Sequence, residues 1–135
     1  MVSEETRRVV DQLYDAYLGG DPAGMLATFS DDIAFRFLGQ VDGRGLDEAR
    51  RFFAHSAELL TDLDFRIQRK IIDGRHAAVT WTETARTAAG APWENHGVDV
   101  FEVRENKITS LHENNDVRLV REHFKRYQPA DDGIE

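Results

Sequence analysis

From Ser3 onward, apolar residues return every three or four positions, with Val10, Leu13, Tyr14 and Tyr17 on one stripe, so the spacing predicts a helix. Ser3 is its expected N-cap and Gly19-Gly20 its stop. Asp21 followed by Pro22 predicts a second, short helix that carries Met25, Leu26 and Phe29 inward. The period then changes to two. Ile33, Phe35 and Phe37 alternate with Ala34, Arg36 and Leu38, the mark of a half-buried strand, and Gly39 to Gly45 reads as a loop. Helical spacing resumes from Leu46 to Leu60 through Ala49, Phe52, Phe53, Ala57 and Leu60.

Everything after that stripe is strand until near the end. Leu63 to Ile72 alternates, Asp73-Gly74 is a hairpin signal, and His76 to Thr87 is the partner strand. A loop over Ala88 to Pro92 leads to a strand from Trp93 to Val103, a tight turn at Glu105-Asn106 and a last strand to about Asp116. Val117 to Tyr127 predicts a short amphipathic helix, and the acidic segment 128–135 a frayed tail. Helices gathered before a meander must cover one face of its sheet. The expectation is therefore a single α+β domain over residues 1–135. Its cone-shaped, curved antiparallel sheet wraps around three N-terminal helices as an α+β barrel, leaving a hollow of small-molecule size.

Composition narrows the function. A net charge of −8 over 135 residues opposes nucleic-acid binding, which needs a basic face to displace counterions. The clusters Arg50-Arg51 and Arg66, Arg69, Lys70 are interleaved with acids and apolar positions and read as solvated faces. With no cysteine, disulfides, thiol catalysis and thiolate metal sites are excluded. No apolar run approaches the roughly 18 residues of a membrane span, and the first residues lack the layout of a secretory signal, so a cytoplasmic location is expected.

Strand register decides which polar groups face the hollow, because a slip of one residue reverses every side chain. If the last hairpin turn holds two residues, Arg104 pairs with Lys107 and Asp99 lies opposite His112. If it holds three, Val103 pairs with Lys107, and Asn95, Asp99, Phe101, Leu111, Glu113 and Asn115 share one face, with Glu113 diagonally offset from Asp99.

The element order, Phe29-Ser30-Asp31-Asp32 at the end of helix two, the turn Val103-Arg104-Glu105-Asn106-Lys107-Ile108 and the acidic end of the last strand carry a resemblance over nearly the whole chain. The chain resembles the SnoaL-like branch of the nuclear transport factor 2 superfamily, which includes ketosteroid isomerase, limonene epoxide hydrolase and polyketide cyclases. The resemblance implies a catalytic role for Asp99, which matches the isomerase's oxyanion-donating aspartate. It implies one for Glu113, which matches a catalytic aspartate of the epoxide hydrolase, and one for Asp116, which matches the SnoaL-type aspartate. Both carry-overs to Asp99 and Glu113 favour the three-residue turn. The chain also departs from those enzymes. The isomerase's base falls near Phe37 and its tyrosine near Leu13, with Tyr14 and Tyr17 close by. The epoxide hydrolase's tyrosine and asparagine fall at Phe35 and Phe37, and its arginine and second aspartate near Thr82 and Thr84.

On physical grounds an acid among Val98, Val100 and Phe101 resists ionisation, and a neighbouring carboxyl adds repulsion, so the pair should hold one proton. The expected division is Asp99 as hydrogen-bond donor or acid and Glu113 as proton acceptor, with Asn95 and Asn115 orienting the substrate. Asp116 has a second reading, as the cap of the helix at Val117. The pocket lining is read as Tyr14, Tyr17, Phe35, Phe37, Phe53, Trp93, Asn95, Leu111 and Asn115. His96 and His112 share a face, but without metal-binding spacing, and neither a metal nor a cofactor is expected. Trp81, Glu83, His96, Val98, Val100 and His112 are assigned to the convex face, where such a surface is usually covered by a second copy, so a homodimer is expected. The function so implied is a cofactor-free isomerase, lyase or cyclase. Its ligand would be a small, mostly apolar or carbonyl-containing, polyketide-like molecule, with neither nucleic acid nor membrane as partner. The alternative is a non-catalytic dimeric ligand-binding or scaffolding domain.

Overall fold

The computed structural model describes residues 1–124. Helix α1 spans Val2–Leu18 and buries Val9, Val10, Leu13 and Tyr14. Its N-cap is Met1 and not Ser3, whose hydroxyl instead accepts from the Gly74 amide at 3.0 Å and ties the helix to a hairpin. Gly20, at φ 67, turns the chain through the left-handed region that glycine adopts without strain. Asp21 then caps α2 (Pro22–Leu26), its carboxylate accepting from the Gly24 amide at 3.0 Å.

Strand β1 runs Phe29–Phe37, so the Phe29 to Asp32 segment opens a strand and does not end a helix. The expected Gly39 to Gly45 loop contains β2, Val41–Arg44, antiparallel to β1. Its period was hidden by Gly43, where a Cβ would meet the Phe35 ring at 2.4 Å; the missing side chain is the room that ring occupies. Helix α3 is Leu46–Ser56, shorter than its apolar stripe, because Leu60 already pairs with Thr87 as the start of β3, Leu60–Asp73. Strands β4 (His76–Thr87), β5 (Pro92–Arg104) and β6 (Lys107–Asn115) follow, and α4 covers Val117–His123. The expected extension of that last helix to Tyr127 and the tail 128–135 lie outside the described residues.

The six strands form one open sheet in the order β2-β1-β6-β5-β4-β3. It is mostly antiparallel, but β1 and β6 are parallel, a pairing that the meander alone does not supply. α1 packs on β3, β4, β5 and β6, and α3 on β1 and β2, so the helices fill the concave side. Among the described residues, no helix is long and apolar enough to cross a membrane. Most members of both basic clusters have an acidic partner: Arg50 and Arg51 share Asp47, Arg66 pairs with Asp64, and Lys70 with Asp11.

The β5–β6 hairpin combines the two alternatives read from sequence. Its turn holds two residues, Glu105 and Asn106, at φ 50 and 63, and Arg104 pairs with Lys107. The register then shifts between Val103↔Ile108 and Glu102↔Ser110, leaving Thr109 as an extra residue whose hydroxyl donates to the Glu102 carbonyl at 3.3 Å. Beyond that bulge Asp99 lies directly opposite Glu113, not diagonal to it.

Candidate active site

Register places a row of residues across all six strands: Val41, Phe37, Glu113, Asp99, Val79 and Lys70. The next row toward α4 contains Asn115, Gly97, Trp81 and Ile67, and the one after it Asn95, Glu83 and Phe65. Trp81 and Glu83 therefore face the concave side, correcting their assignment to the convex face. The signal was present in β4. Thr80, Thr82 and Thr84 fall on one parity and Ala77, Val79 and Trp81 on the other, and Glu83 belongs with the apolar set. His96, Val98, Val100 and His112 do lie on the convex side, in register with Thr82, Thr80, Ala78 and Val100 respectively.

Asp99 is the organising residue. Only 8% exposed, it accepts from the Tyr14 hydroxyl on Oδ2 at 2.5 Å and from the Trp81 indole on Oδ1 at 3.1 Å. Gly97 makes the second bond possible, because a Cβ there would meet the Trp81 ring at 2.6 Å and the Asn114 carbonyl oxygen at 2.3 Å. With no side chain at Gly97, the indole lies over it and reaches the neighbouring carboxylate. Burial pushes the Asp99 carboxyl up to about 6, against the opposing pull of its two donors.

Glu113, half-buried, accepts on Oε2 from the Asn115 amide at 2.8 Å. Burial, and then the Asp99 charge, hold its carboxyl well above the ordinary glutamate range. Burial also raises Glu83, whose Oε2 accepts from the Trp93 indole at 2.7 Å. Asn115 Oδ1 is buried without a hydrogen-bond partner among the described residues.

The remaining predicted residues divide by depth. Tyr14, Phe35, Leu111 and Trp93 are buried, while Tyr17, Phe37, Phe53, Glu113 and Asn115 are half-buried and mark where the concave side meets solvent. Asn95 spends its Oδ1 on the His96 and Asp116 amides, at 2.8 and 3.2 Å, and so braces the junction of β6 with α4. Asp116 is the N-cap of α4, accepting from the Leu119 amide at 3.2 Å. His96 and His112 sit four register positions apart, about 13 Å along the strands, too far to share an ion. Two surface depressions lie away from the acids, one beside Met1, Glu4, Glu5 and Arg8, the other beside Asp62, Arg86, Pro92 and Glu94.

A curved sheet closed over helices, with acids aligned on its concave face, defines a small α+β domain of conical type. The chain belongs to the family of SnoaL-like domains, whose match runs over residues 10–111. It is similar to a nuclear transport factor 2-like protein from Burkholderia xenovorans LB400, with 21% identity, 91% of this chain and 98% of that one covered, and a TM-score of 0.78. A candidate SnoaL-like polyketide cyclase from Jannaschia sp. CCS1 is 15% identical, with 94% and 96% covered and a TM-score of 0.80. An LEH-like epoxide hydrolase from M. tuberculosis is 21% identical, with 86% of each chain covered and a TM-score of 0.72. At these identities the likeness is one of fold. No curated protein matches the chain.

Proposed function

We propose that this protein is a small-molecule enzyme of the isomerase, lyase or cyclase type, moving protons on a mostly apolar carbonyl compound. The observation that carries the reading is the direct pairing of Asp99 with Glu113 on the concave face, two donors on the first and one on the second. Two directly facing carboxyls that repel each other when both are ionised hold one proton between them. The donors favour the charge on Asp99 and leave the proton on Glu113, the reverse of the division expected from sequence.

In this reading Glu113 gives its proton to the substrate carbonyl oxygen, while the Asp99 carboxylate accepts a proton from the adjacent carbon. The carbon–hydrogen bond breaks, an enol forms, and the net charge of the pair is unchanged. Returning a proton at another carbon isomerises the substrate. Loss of a β-leaving group gives elimination, and attack of the enol on a second carbonyl gives ring closure. A base near 6 faced by an acid held well above the ordinary glutamate range suits such chemistry at neutral pH.

The test is a mass-spectrometric comparison of a metabolite extract incubated with wild type and with Glu113→Gln. A mass consumed or rearranged by wild type alone supports catalysis. Retention of a ligand by both proteins without conversion favours a second reading, a non-catalytic binding domain. That reading draws on Asp99 having both oxygens already engaged.

The convex face supports a homodimer. Ile71, Ala78, Val100 and His112 form one row across β3 to β6, with Ile71 52% and Val100 39% exposed, and Arg36 and Asp42 continue it at the other edge. Two copies meeting on this row would cover its apolar centre.

A further inference from the structure

Glu83 takes no part in the acid pair, yet it faces the same concave side two rows nearer α4. Its position on β4 is four residues from Val79, the partner of Asp99, so the two acids are separated by about 13 Å along the sheet. One oxygen is fixed by the Trp93 indole at 2.7 Å, and Trp93 is packed against the His123 and Phe124 rings at 5.5 and 4.9 Å. The other oxygen, Oε1, has no partner among the described residues.

Tyr17 stands beside it. Its ring packs edge-on against Phe65 at 5.2 Å, and Phe65 is the direct strand partner of Glu83, so phenol and carboxyl flank one aromatic ring. The Tyr17 hydroxyl makes no hydrogen bond among the described residues. Burial first, then the Glu83 and Glu113 charges, push that phenol up, so it stays a neutral hydroxyl. Lys70, the basic residue of this face, is held by Asp11 at 2.5 Å. The half-buried end of the concave side thus offers an anchored carboxyl with a spare oxygen, a free hydroxyl and, among the described residues, no cation paired with Glu83.

We infer that Glu83, with Tyr17 beside it, is a specificity-determining residue of the site: it accepts a hydrogen bond from a hydroxyl or amine carried by the substrate at the end away from the reacting carbonyl. A carboxylate at that end is disfavoured, because it would meet the like charge of Glu83 with no cation from the described residues between them. The inference rests on the reading of Asp99 and Glu113 as the reacting pair, whose row sets which end of the substrate is which.

Three rigid two-ring ketones test it: acetonaphthones that carry a hydroxyl, a methoxy or a carboxylate on the ring carbon farthest from the acetyl group. Binding to the full chain is read by quenching of Trp81 and Trp93 fluorescence. Wild type should bind the hydroxy ketone about tenfold more tightly than the methoxy ketone, and the carboxylate at least about tenfold more weakly than either. Glu83→Gln should bring all three Kd values together, and Glu113→Leu, which removes the group facing the acetyl carbonyl, should weaken all three in proportion. Equal binding of hydroxy and methoxy ketones by wild type overturns the role of Glu83, with no variant required. So does a preference that survives Glu83→Gln. A preference that depends on Glu83 while Glu113→Leu changes nothing would keep the specificity role and sink the acid pair. No binding of any ketone to folded wild type would remove both.

Discussion

The Tyr14 hydroxyl and the Asp99 carboxylate are joined at 2.5 Å between the first helix and the fifth strand, 85 residues apart in the chain. That bond ties α1 to the acid pair and favours the charged form of Asp99. A phenol raised well above its ordinary range by burial and by the Asp99 charge remains a donor. It therefore stabilises the ionised form of Asp99, and through it the protonated form of Glu113.

Removing that donor should be felt in both folding and titration. Tyr14→Phe leaves Asp99 Oδ2 buried without a partner, and should cost about 1–3 kcal/mol in chemical denaturation. Asp99 should also titrate at higher pH than in wild type. An unchanged midpoint and unchanged titration would mean that the bond does not form in solution.

Gly97 is the least replaceable strand residue of the site. Gly97→Ala puts a Cβ against the Asn114 carbonyl oxygen and the Trp81 ring, so the strand or the indole must move. The expected loss is about 1–3 kcal/mol of stability, with a shifted Trp81 indole N–H resonance as its bond to Asp99 is broken. The resonance distinguishes this cause from general loosening.

Stability should fall as pH rises. Both carboxyls bind their protons more tightly in the folded chain than in the unfolded one, so their contribution is fully present below the unfolded carboxylate range. It is lost as pH climbs from about 4 through the folded values, about 6 for Asp99 and well above the ordinary glutamate range for Glu113. For Asp99 the change amounts to about 3 kcal/mol. Thermal melts across this range should show the decline in wild type and a flatter curve in Glu113→Gln, which keeps a neutral side chain throughout.

The convex face has its own test. Val100→Glu should leave the melting temperature within a few degrees and convert a dimer to a monomer in analytical ultracentrifugation. A wild-type monomer at high concentration would contradict the proposed homodimer.

Much of the fold was legible because local chemistry and period agreed: Asp21-Pro22 marked a helix start, and the bounds of β4 follow from its alternation. The concave placement of Asp99, Glu113, Asn115, Phe101 and Leu111 was legible too, although through a turn of the wrong length. A bulge at Thr109 restores the parity that the two-residue turn reverses, and a bulge leaves no trace in an alternating pattern. Trp81 and Glu83 differ for another reason: long-range pairing sets their face, and within β4 Thr80, Thr82 and Thr84 mark the opposite one. Gly43 and Gly97 hid their meaning because a glycine in a strand is read as a weakness, whereas here each is the space another ring fills.

The most direct measurement is a carboxyl-carbon NMR titration of the chain labelled at aspartate and glutamate, with Asp99→Asn and Glu113→Gln used to assign the two signals. Asp99 should titrate at about 6 and Glu113 well above the ordinary glutamate range, each moving when the other is neutralised. Two independent titrations in the ordinary carboxylate range would contradict this, since the pair would then be fully ionised at neutral pH and hold no proton to give.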